Sequence, residues 1–398
     1  MMKRVAILGA TGSIGKNTLD ILRNEKSRLK PVLFTAYKNS EDLINLKKEF
    51  PGAVTALASC SAKPADDSAK GIDFTGKEGL LAAINAVEAD ITVNGITGAA
   101  GLEPSLAVIN SGSDLALANK ETIVMAASIV KALAKKKNVR IIPVDSEHSA
   151  LFNLLEGHGY DNTAEIILTA SGGPFRNFLP EQMRYIRPEE ALAHPTWNMG
   201  PKISVDSATM ANKGLEVMEA AGLFGFPPEK IKVVIHPQSI IHSMLRLKNG
   251  AVYAQMSQPD MRLPIHDALF WPETKTSSYG ILDFDSLVIN FEKCDFERFP
   301  MLALAYQALK AGALLPAVYN AANEIAVEAF LKGETGFLEI PRIVEYVLSQ
   351  SSPDVSTEPS TRQASGTDEE TPFEIDAVLA MDRKGRELAA KYIESRSY

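Results

Sequence analysis

The sequence predicts an α/β protein with two sheet regions and a helical C-terminal end. Apolar runs typical of buried strands occupy residues 4–8, 31–36, 53–59, 91–93, 114–117 and 139–144. Helical or loop-like stretches separate them, an alternation that predicts a parallel sheet. Strand patterns return at residues 233–237, 240–247 and 251–255, and the turn at 248–250 predicts that the last two form a hairpin. Helical patterns follow at residues 301–311, 315–331 and 375–393.

Composition narrows the class of protein. The 398 residues suffice for two or three domains, and 49 acidic against 41 basic residues give a net charge of −8. That balance argues against a nucleic-acid partner, although a local pocket can still be positive enough for a small anion. Cys60 and Cys294 provide neither a disulfide framework nor a thiolate metal site. With no 18-residue apolar run and no cleavable leader, we expect a soluble cytoplasmic protein that does not bind membranes.

A glycine-rich turn follows the first predicted strand directly. Gly9, Gly12 and Gly15 are spaced G-x-x-G-x-x-G, and an amphipathic helix begins immediately after them. Glycine after a strand lets the backbone turn tightly and approach a pyrophosphate, whose charge is met by the helix N-terminus. The strand, turn and helix together predict a Rossmann-like dinucleotide-binding domain.

The end of the second strand indicates which dinucleotide is bound. An NAD site usually has an acidic residue there to hold the ribose 2′-hydroxyl, but this chain has Tyr37, Lys38 and Asn39, followed by Ser40 as the predicted cap of the next helix. A lysine in place of the acid favours a 2′-phosphate, so NADP(H) is the predicted cofactor. The glycine-rich loop at 94–101 is predicted to face it, and Lys120 is left open as either a ligand or a solvated side chain.

Two acids follow the strand at 139–144. Asp145 and Glu147 are two residues apart, so an extended backbone would point both carboxylates the same way. Like charges at that spacing need a proton or a cation between them. Oxygen ligands without cysteine favour Mg²⁺ or Mn²⁺ over Zn²⁺, and Glu216 is a candidate third ligand.

Further candidate ligands lie in loops of the middle of the chain. The small residues at 169–175 present backbone amides and the Ser171 hydroxyl, a combination suited to phosphate. Prolines interrupt residues 175–201, which we interpret as a movable lid carrying Trp197 and Met199; His194 is left open as structural or functional. The segment 203–220 is predicted to open as a short β-rich run and continue as a helix. That would bring the last set of candidates to a strand end, namely Ser207, Asn212, Lys213 and Glu216.

These segments, taken in order, resemble the 1-deoxy-D-xylulose 5-phosphate reductoisomerase family over essentially the whole chain. The resemblance rests on motifs at residues 9–15, 118–122, 143–148, 170–175, 194–200, 206–216, 236–244, 258–265 and 320–327. Tyr37 departs from the family pattern, in which a glycine often precedes the basic residue, and the polar tract at 351–371 is longer than expected.

The resemblance implies a role for each matching residue. Metal binding would fall to Asp145, Glu147 and Glu216, and catalytic roles to Lys120, Glu147, His194 and Lys213. Substrate binding would involve Lys120, Ser146, Glu147, Ser171, His194, Trp197, Ser207, Asn212, Lys213 and Glu216. The NADPH site would be lined by Gly9, Thr11, Gly12, Ser13, Ile14, Lys38, Asn39, Asn119, Glu121 and Gly200.

It also implies a reaction and an organisation. The family isomerises and reduces 1-deoxy-D-xylulose 5-phosphate to 2-C-methyl-D-erythritol 4-phosphate in non-mevalonate isoprenoid biosynthesis, with NADPH and Mg²⁺ or Mn²⁺, by a retro-aldol and aldol rearrangement before hydride transfer. We expect a homodimer. The expected domains are an NADPH-binding domain at 1–145, a catalytic domain at 146–274 with the lid at 175–201, a linker at 275–297 and a C-terminal helical domain at 298–398 with a polar loop at 351–371.

Two rival interpretations are less well supported. An aspartate-semialdehyde-type dehydrogenase also opens with a Gly-Ala-Thr-Gly turn, but it needs a catalytic cysteine; Cys60 lies too early in the chain and Cys294 lacks a motif. A non-catalytic NADPH sensor would need neither the three carboxylates nor the phosphate loop.

Overall fold

The computed structural model describes residues 2–59, 70–194, 196–197, 199–312, 314–351 and 374–396. Its strands are β1 Lys3–Leu8, β2 Leu29–Ala36, β3 Val54–Leu57, β4 Phe74–Thr75, β5 Ile91–Asn94, β6 Asp114–Leu117, β7 Ile141–Pro143, β8 Thr163–Ala170, β9 Ile231–Ile235, β10 Ile241–Leu247, β11 Val252–Met256 and β12 Glu292–Lys293. Its helices are α1 Ser13–Asn24, α2 Ser40–Glu49, α3 Gly76–Ala86, α4 Leu102–Asn110, α5 Lys120–Lys137, α6 Ser146–His158, α7 Pro180–Met183, α8 Pro188–Leu192, α9 Pro201–Ala208, α10 Ala211–Phe224, α11 Arg262–Phe270, α12 Pro300–Ala311, α13 Leu315–Leu331, α14 Glu339–Ser351 and α15 Ile375–Glu394.

The first sheet is parallel and has the order β4-β3-β2-β1-β5-β6-β7. Its strands are apolar on both faces because helices cover both, as two separate core clusters show. The strand order reverses between β1 and β5, and ligands of open α/β sheets bind at such a reversal, outside the carboxyl ends of the strands. The fold therefore places a binding crevice beside Leu8 and Asn94.

The second sheet is mixed, with the order β11-β10-β8-β9-β12. β8 and β9 are parallel, whereas β10 is antiparallel to both β8 and β11, so the predicted hairpin is confirmed. One large core cluster joins this sheet to α10 and to the helices α12, α13 and α14. The predicted fold class is confirmed in its parallel sheet, mixed sheet and helical C-terminal part.

One helix packs across the predicted domain boundary. Ile265, Ala268 and Leu269 of α11 belong to the core cluster on the first sheet, although residue 262 lies in the segment assigned to the catalytic domain. Lys3 Nζ also donates to Leu269 O at 2.8 Å. The chain thus returns to its first sheet after building most of its second, and the division into three domains stays a prediction.

The expectation of a β-rich run at residues 203–206 is wrong, because these residues form the helix α9. Pro201 at its first position presets a helical φ, and Ser204 Oγ donates to Gly200 O at 3.0 Å. The β-branched Ile203 and Val205 suggested a strand, yet Val205 is fully buried against neighbouring helices. Tertiary packing has overridden local propensity here.

The extended backbone expected across residues 145–147 is also wrong, because α6 begins at Ser146. Asp145 is the N-cap of α6, and its carboxylate accepts from Glu147 N at 3.2 Å. Similarly, the cap of α2 is Asn39 rather than Ser40, with Asn39 Oδ1 accepting from Asp42 N at 3.0 Å. A helix that sequence analysis did not predict, α14, buries Ile340, Ile343, Val344 and Val347.

The polar tract at 351–371 lies, apart from Ser351, outside the described residues, as does Cys60. Cys294 is a free, buried cysteine. None of the helices in the described ranges is both long and apolar enough to span a membrane.

Candidate functional site

A cleft of about 390 Å³ lies between the two sheets. Its wall on the first sheet comes from the turn after β1, the loop after β5 and the start of α5, and its opposite wall comes from β8, α9 and α10. These elements meet because the carboxyl ends of parallel strands share one edge. The cleft is thus where sequence reasoning placed the ligands.

The glycine turn forms one end of the cleft. Gly9 has a φ of +81°, which only glycine adopts readily, and a side chain there would lie 3.1 Å from Gly95 O. Of the predicted cofactor residues, those that line the cleft are Gly12, Ser13, Ile14, Glu121 and Gly200. Those that do not are Gly9, Thr11, Lys38, Asn39 and Asn119.

Two of the predicted cofactor residues that do not line the cleft, Lys38 and Asn119, have different surroundings. Lys38 Nζ lies 5.3 Å above the ring of Tyr37, which is 66% exposed. Asn119 is buried as the cap of α5, where its Nδ2 donates to Ile96 O at 2.7 Å and to Gly98 O at 2.8 Å. Asn119 therefore fixes the glycine-rich loop after β5 rather than opening into the cleft.

A cluster of carboxylates and ammonium groups occupies the middle of the cleft. Asp145 caps α6, Glu147 lies in its first turn, and Glu216 lies on α10. Lys120 Nζ donates to Asp145 Oδ2 at 2.7 Å and to Glu216 Oε1 at 3.1 Å. Lys213 Nζ donates to Glu147 Oε1 at 2.7 Å and also to Glu216 Oε2. Two lysines thus hold together three acids that come from two helices.

Burial and mutual attraction shape the protonation of this cluster. Burial lowers the pKa of Lys120, but Asp145 and Glu216 more than offset it and the pKa stays well above its usual value. Lys213 behaves in the same way, with Glu147 and Glu216 raising its pKa. Both lysines are therefore ammonium ions at neutral pH. Burial and the neighbouring Glu147 raise the pKa of Glu216, so an added cation would stabilise its ionised form.

His148 and Glu219 lie directly behind this cluster and were missed by sequence analysis. His148 Nδ1 lies 3.1 Å from Asp145 Oδ1 and 3.4 Å from Glu219 Oε2, and its Nε2 lies 3.0 Å from Glu216 O. Since both ring nitrogens face acceptors, both carry protons. Burial opposes this charge, but Glu219 and Asp145 raise the pKa of His148 to about 9. The helical spacing of Glu216 and Glu219 was the available signal.

The donor set fits a divalent cation of the Mg²⁺ type. One ligand atom from each of Asp145, His148 and Glu216 lies within 4.8 Å of the others. A doubly protonated His148 has no lone pair for a metal, so it orients Asp145 rather than binding the ion itself. Carboxylate oxygens remain as the ligands, and these suit Mg²⁺ or Mn²⁺.

Small residues form the far end of the cleft. Gly173 N donates to Ser171 Oγ at 3.2 Å, and Ser171 Oγ lies 3.1 Å from His194 Nε2. Gly173 has a φ of +69°, and a side chain there would lie 2.7 Å from Ser207 O. The loop can therefore approach the end of α9, so that the side chains of Ser171, His194 and Ser207 line the same wall.

The protonation of His194 follows from its neighbours. Its Nδ1 accepts from Trp197 N at 3.0 Å and from Thr196 N at 3.2 Å, which leaves the proton of the neutral ring on Nε2. Burial lowers its pKa, so the ring is neutral at pH 7 and its Nε2–H points to Ser171 Oγ.

The predicted lid has an anchored part and a part facing the cleft. Phe175, Met183, Ile186 and Ala191 are buried in the main core cluster. In contrast, Trp197 and Met199 line the cleft and are only partly buried. All ten predicted substrate residues line the cleft, namely Lys120, Ser146, Glu147, Ser171, His194, Trp197, Ser207, Asn212, Lys213 and Glu216.

Lys202 and His242 also line the cleft and were not predicted. His242 is 5% exposed, and its Nε2 lies 2.8 Å from Ser257 Oγ. His242 lies in the motif at 236–244, but no functional role was predicted for it, because its neighbours on β10 form an ordinary strand pattern. Lys202 directly precedes the predicted β-rich run, and no motif distinguished it.

Family models match nearly all of the chain. The model for 1-deoxy-D-xylulose 5-phosphate reductoisomerase matches residues 5–127, and that for its C-terminal domain matches residues 141–224. A further model, for the DXP reductoisomerase C-terminal domain, matches residues 256–388.

Similar sequences and structures cover comparable lengths. The chain is 48% identical to the 1-deoxy-D-xylulose 5-phosphate reductoisomerase of Pelodictyon phaeoclathratiforme, over 98% of this chain and 100% of that protein. It is 40% identical to the Zymomonas mobilis enzyme solved with NADPH, with a TM-score of 0.86 over 99% of this chain and 100% of that one. For a DOX-P reductoisomerase solved with NADPH, fosmidomycin and magnesium, identity is 36% and the TM-score is 0.89, over 99% of this chain and 98% of that one.

Proposed function

Since this chain belongs to the 1-deoxy-D-xylulose 5-phosphate reductoisomerase family, we propose that it converts that substrate to 2-C-methyl-D-erythritol 4-phosphate with NADPH and a divalent cation. The observation that supports this best is that Asp145, Glu147 and Glu216 line one cleft with the glycine turn of β1. A nucleotide site alone would need no such acids. Their presence beside the phosphate-type loop at Ser171 favours an enzyme over an NADPH sensor.

The metal would be held by Asp145, Glu147 and Glu216. When bound, the cation supplies positive charge at the substrate oxygens on which negative charge develops, and NADPH supplies the hydride. Glu216 is 1% exposed and shares each of its oxygens with an ammonium group, so its carboxylate is already fixed in direction. Either Mg²⁺ or Mn²⁺ suits this set of oxygen ligands.

The two lysines act as donors rather than bases. Because Lys120 and Lys213 remain protonated at neutral pH, each can donate hydrogen bonds to a substrate oxygen that gains negative charge. Glu147 is the more exposed acid, at 18% of its side chain, and it accepts from Lys213 and from Ser146 Oγ at 2.6 Å. We assign to Glu147 the exchange of protons with the substrate hydroxyls.

The substrate phosphate would bind at the far end of the cleft. Ser171 and Ser207 offer neutral donors there, and the Nε2–H of His194 adds another. Asn212 lines the same cleft from the central cluster, where its Nδ2 donates to Glu216 Oε1 at 2.6 Å. Charge-assisted contacts to the phosphate are worth roughly 1.5–3 kcal/mol each. Because they are remote from the reacting carbons, they can be used to draw Trp197 over the substrate and exclude water.

The protein is further proposed to act as a homodimer in the cytoplasm. Large apolar side chains are exposed in residues 275–297, the segment that contains β12, an edge strand of the second sheet: Ile281, Phe284, Val288 and Phe291 are each at least 48% exposed. We refer to these four as the linker patch. A second copy of this chain would cover it and the open sheet edge together. Cysteine usage, with Cys294 free, supports a reducing compartment.

Activity is tested by following NADPH oxidation with 1-deoxy-D-xylulose 5-phosphate after chelation, with and without added Mg²⁺ or Mn²⁺. We expect metal-dependent turnover, reduced about a hundredfold or more in Asp145→Asn because a charged metal ligand is lost. The matched control is Asp114→Asn, which removes an acid paired with Arg140 at 2.6 Å, outside the cleft lining, and should leave kcat unchanged. NADPH binding without turnover in the wild type, despite added metal, would instead favour the sensor interpretation.

A further inference from the structure

A buried ammonium group lies in the cleft wall and has no part in the chemistry described above. Lys202 Nζ donates to Glu121 Oε1 at 2.8 Å and to Asp206 Oδ2 at 2.9 Å. The side chain of Lys202 is 18% exposed, whereas those of Glu121 and Asp206 are 7% and 2% exposed. Glu121 and Lys202 line the cleft together. A lysine so buried would not be retained for solubility.

These contacts extend in both directions. On one side, Asp206 Oδ1 accepts from Asn323 Nδ2 of α13 at 2.7 Å. On the other side, Glu121 Oε2 accepts from Asn119 Nδ2 at 3.2 Å, the same nitrogen that holds the loop after β5.

The contacts close into a ring. Glu324, next to Asn323, accepts from Ala99 N in that loop at 2.9 Å. The ring starts at the loop after β5, passes through α13 by way of Asn323 and Glu324, and returns to that loop. Its other members are Asn119, Glu121, Lys202 and Asp206. The helices α5, α9 and α13 therefore share one network. Arg386 of α15 adds a further contact to this ring by donating to Glu324 Oε2 at 2.6 Å.

The ring borders the cleft that also contains both ends of the cofactor path. The glycine turn after β1 is where the pyrophosphate would lie, and Lys120, the residue before Glu121, already contacts Asp145 and Glu216. NADPH must therefore extend from the glycine turn to the carboxylate cluster for its hydride to reach the substrate. Glu121 therefore borders the stretch of cleft that the nicotinamide riboside must occupy.

We propose that Lys202 is a positioning residue that fixes the Glu121 carboxylate as an acceptor for an N–H or O–H donor of the nicotinamide riboside half of NADPH. This inference rests on the proposed function. The donor is either the carboxamide N–H or a ribose hydroxyl, because both offer the same chemistry to a carboxylate. Lys202 acts through Glu121, and Asp206 with Asn323 holds Lys202 in turn.

The electrostatics agree with this role. Burial raises the pKa of Glu121, but Lys202 opposes it and the net pKa is lowered, so the acid is ionised and purely an acceptor. Without the ammonium group, Glu121 and Asp206 would be two buried carboxylates facing one another, and Glu121 would turn away or take up a proton.

The test compares Lys202→Met with the wild type, using NADPH fluorescence to measure the NADPH Kd without turnover, and steady-state kinetics to measure KM for NADPH and for the sugar phosphate. We expect the Kd and KM for NADPH to rise roughly tenfold or more, while the KM for the sugar phosphate stays within about twofold. Lys202→Arg should restore most of the loss. The control, Lys332→Met, removes an exposed lysine that pairs with Glu328 at 2.6 Å and should change neither constant.

A reduced 3-acetylpyridine analogue of NADPH, which lacks the carboxamide N–H, separates the two donors. If Lys202→Met weakens the analogue less than it weakens NADPH, the donor is the carboxamide; an equal loss identifies the ribose hydroxyl. If Lys202→Met does not fold, as judged by its thermal unfolding, the Kd and KM values are measured for Lys202→Gln instead.

The inference is overturned if a folded variant binds NADPH within about twofold of the wild type, or if both KM values rise in parallel. Wild-type protein that binds NADPH but does not turn over would count against the proposed function and leave the binding comparison intact.

Discussion

Asp267 shows how a single partly buried carboxyl group can make stability depend on pH. It lies on α11 beside a small polar cavity, and among the described residues its carboxyl has neither an ion pair nor a hydrogen-bond donor. Burial alone raises its pKa from 3.8 to about 6. The unfolded chain loses this proton near pH 4, so stability falls as the pH rises from about 4 to 6 and stays lower above that.

We predict that Asp267→Asn stabilises the protein at pH 7.5 but not at pH 4. The gain should be about 1–2 kcal/mol after allowance for partial exposure, which for a chain of this length corresponds to a rise of about 1–2.5 °C in the thermal midpoint. The measurement is a pair of thermal unfolding curves at each pH. Asp161→Asn, at an exposed position, is the control and should shift neither midpoint. An equal shift at both pH values would contradict the explanation.

At the level of single residues, the structure brings the predicted substrate residues together, whereas the residues that support them were not predicted. The ten substrate candidates all line one cleft. Those that follow strands meet there because the carboxyl ends of parallel strands share one edge of a sheet. The candidates from residue 207 to residue 216 reach the cleft from α9 and α10 instead. His148, Glu219 and Lys202 were not found, because each acts through partners distant in sequence: His148 contacts Glu216 O across 68 positions, and Lys202 contacts Glu121 across 81. Such pairs exist only once the chain is folded.

The helix α10 is the element on which the site most depends, since it carries Asn212, Lys213, Glu216 and Glu219. Gly214 lets it pack closely on the C-terminal helices: a side chain there would lie 2.7 Å from Ala305 Cβ and 3.0 Å from the Tyr319 hydroxyl oxygen. These neighbours are fully buried and cannot move aside cheaply.

We predict that Gly214→Ala destabilises the protein by about 1–3 kcal/mol and raises the metal concentration needed for half-maximal activity. The added methyl group pushes α10 away from α12 and α13, and Lys213 and Glu216 move with it. Thermal unfolding and a Mg²⁺ titration measure the two effects.

Gly157→Ala on α6 is the matched control for that substitution. No atom lies within 4 Å of a side chain built there. Alanine should therefore stabilise by roughly 0.5–1 kcal/mol through helix propensity, with the metal response unchanged. A Gly214→Ala variant that behaved like this control would show that the packing of α10 is loose.

Elements were predicted best where one pattern dominated. The helix expected at 315–331 agrees with α13 because its apolar spacing and its first-turn proline give the same answer. The prediction of a β-rich run at residues 203–206 was wrong because Ile203 and Val205 favour strands, whereas Pro201 and burial favour α9. Neither α11 nor its position against the first sheet was predicted, and helical periodicity alone would give a buried face but not the surface that buries it.

At the scale of the whole molecule, the linker patch supports the proposed dimer. Ile281 and Phe284 are each 69% exposed, more than an isolated surface side chain requires. They belong to the segment that leads to β12, whose outer edge is open because β12 pairs only with β9 among the described strands. An open edge beside apolar side chains favours a symmetric contact between two copies, since the same surface then covers itself.

We predict a dimer at micromolar concentration by sedimentation velocity and light scattering, and a monomer for the double variant Ile281→Asp with Phe284→Asp, because two buried charges would oppose the contact. Leu179→Asp is the control: its side chain is 62% exposed but lies outside the linker patch, and the variant should remain dimeric. A monomeric wild type, or a double variant that still forms dimers, would exclude this patch as the interface.

If the dimer forms as expected, the partner copy orders residues 275–297. The monomeric double variant should then have a lower free energy of unfolding than the wild type. The thermal midpoint should then rise with protein concentration in the wild type but not in the variant.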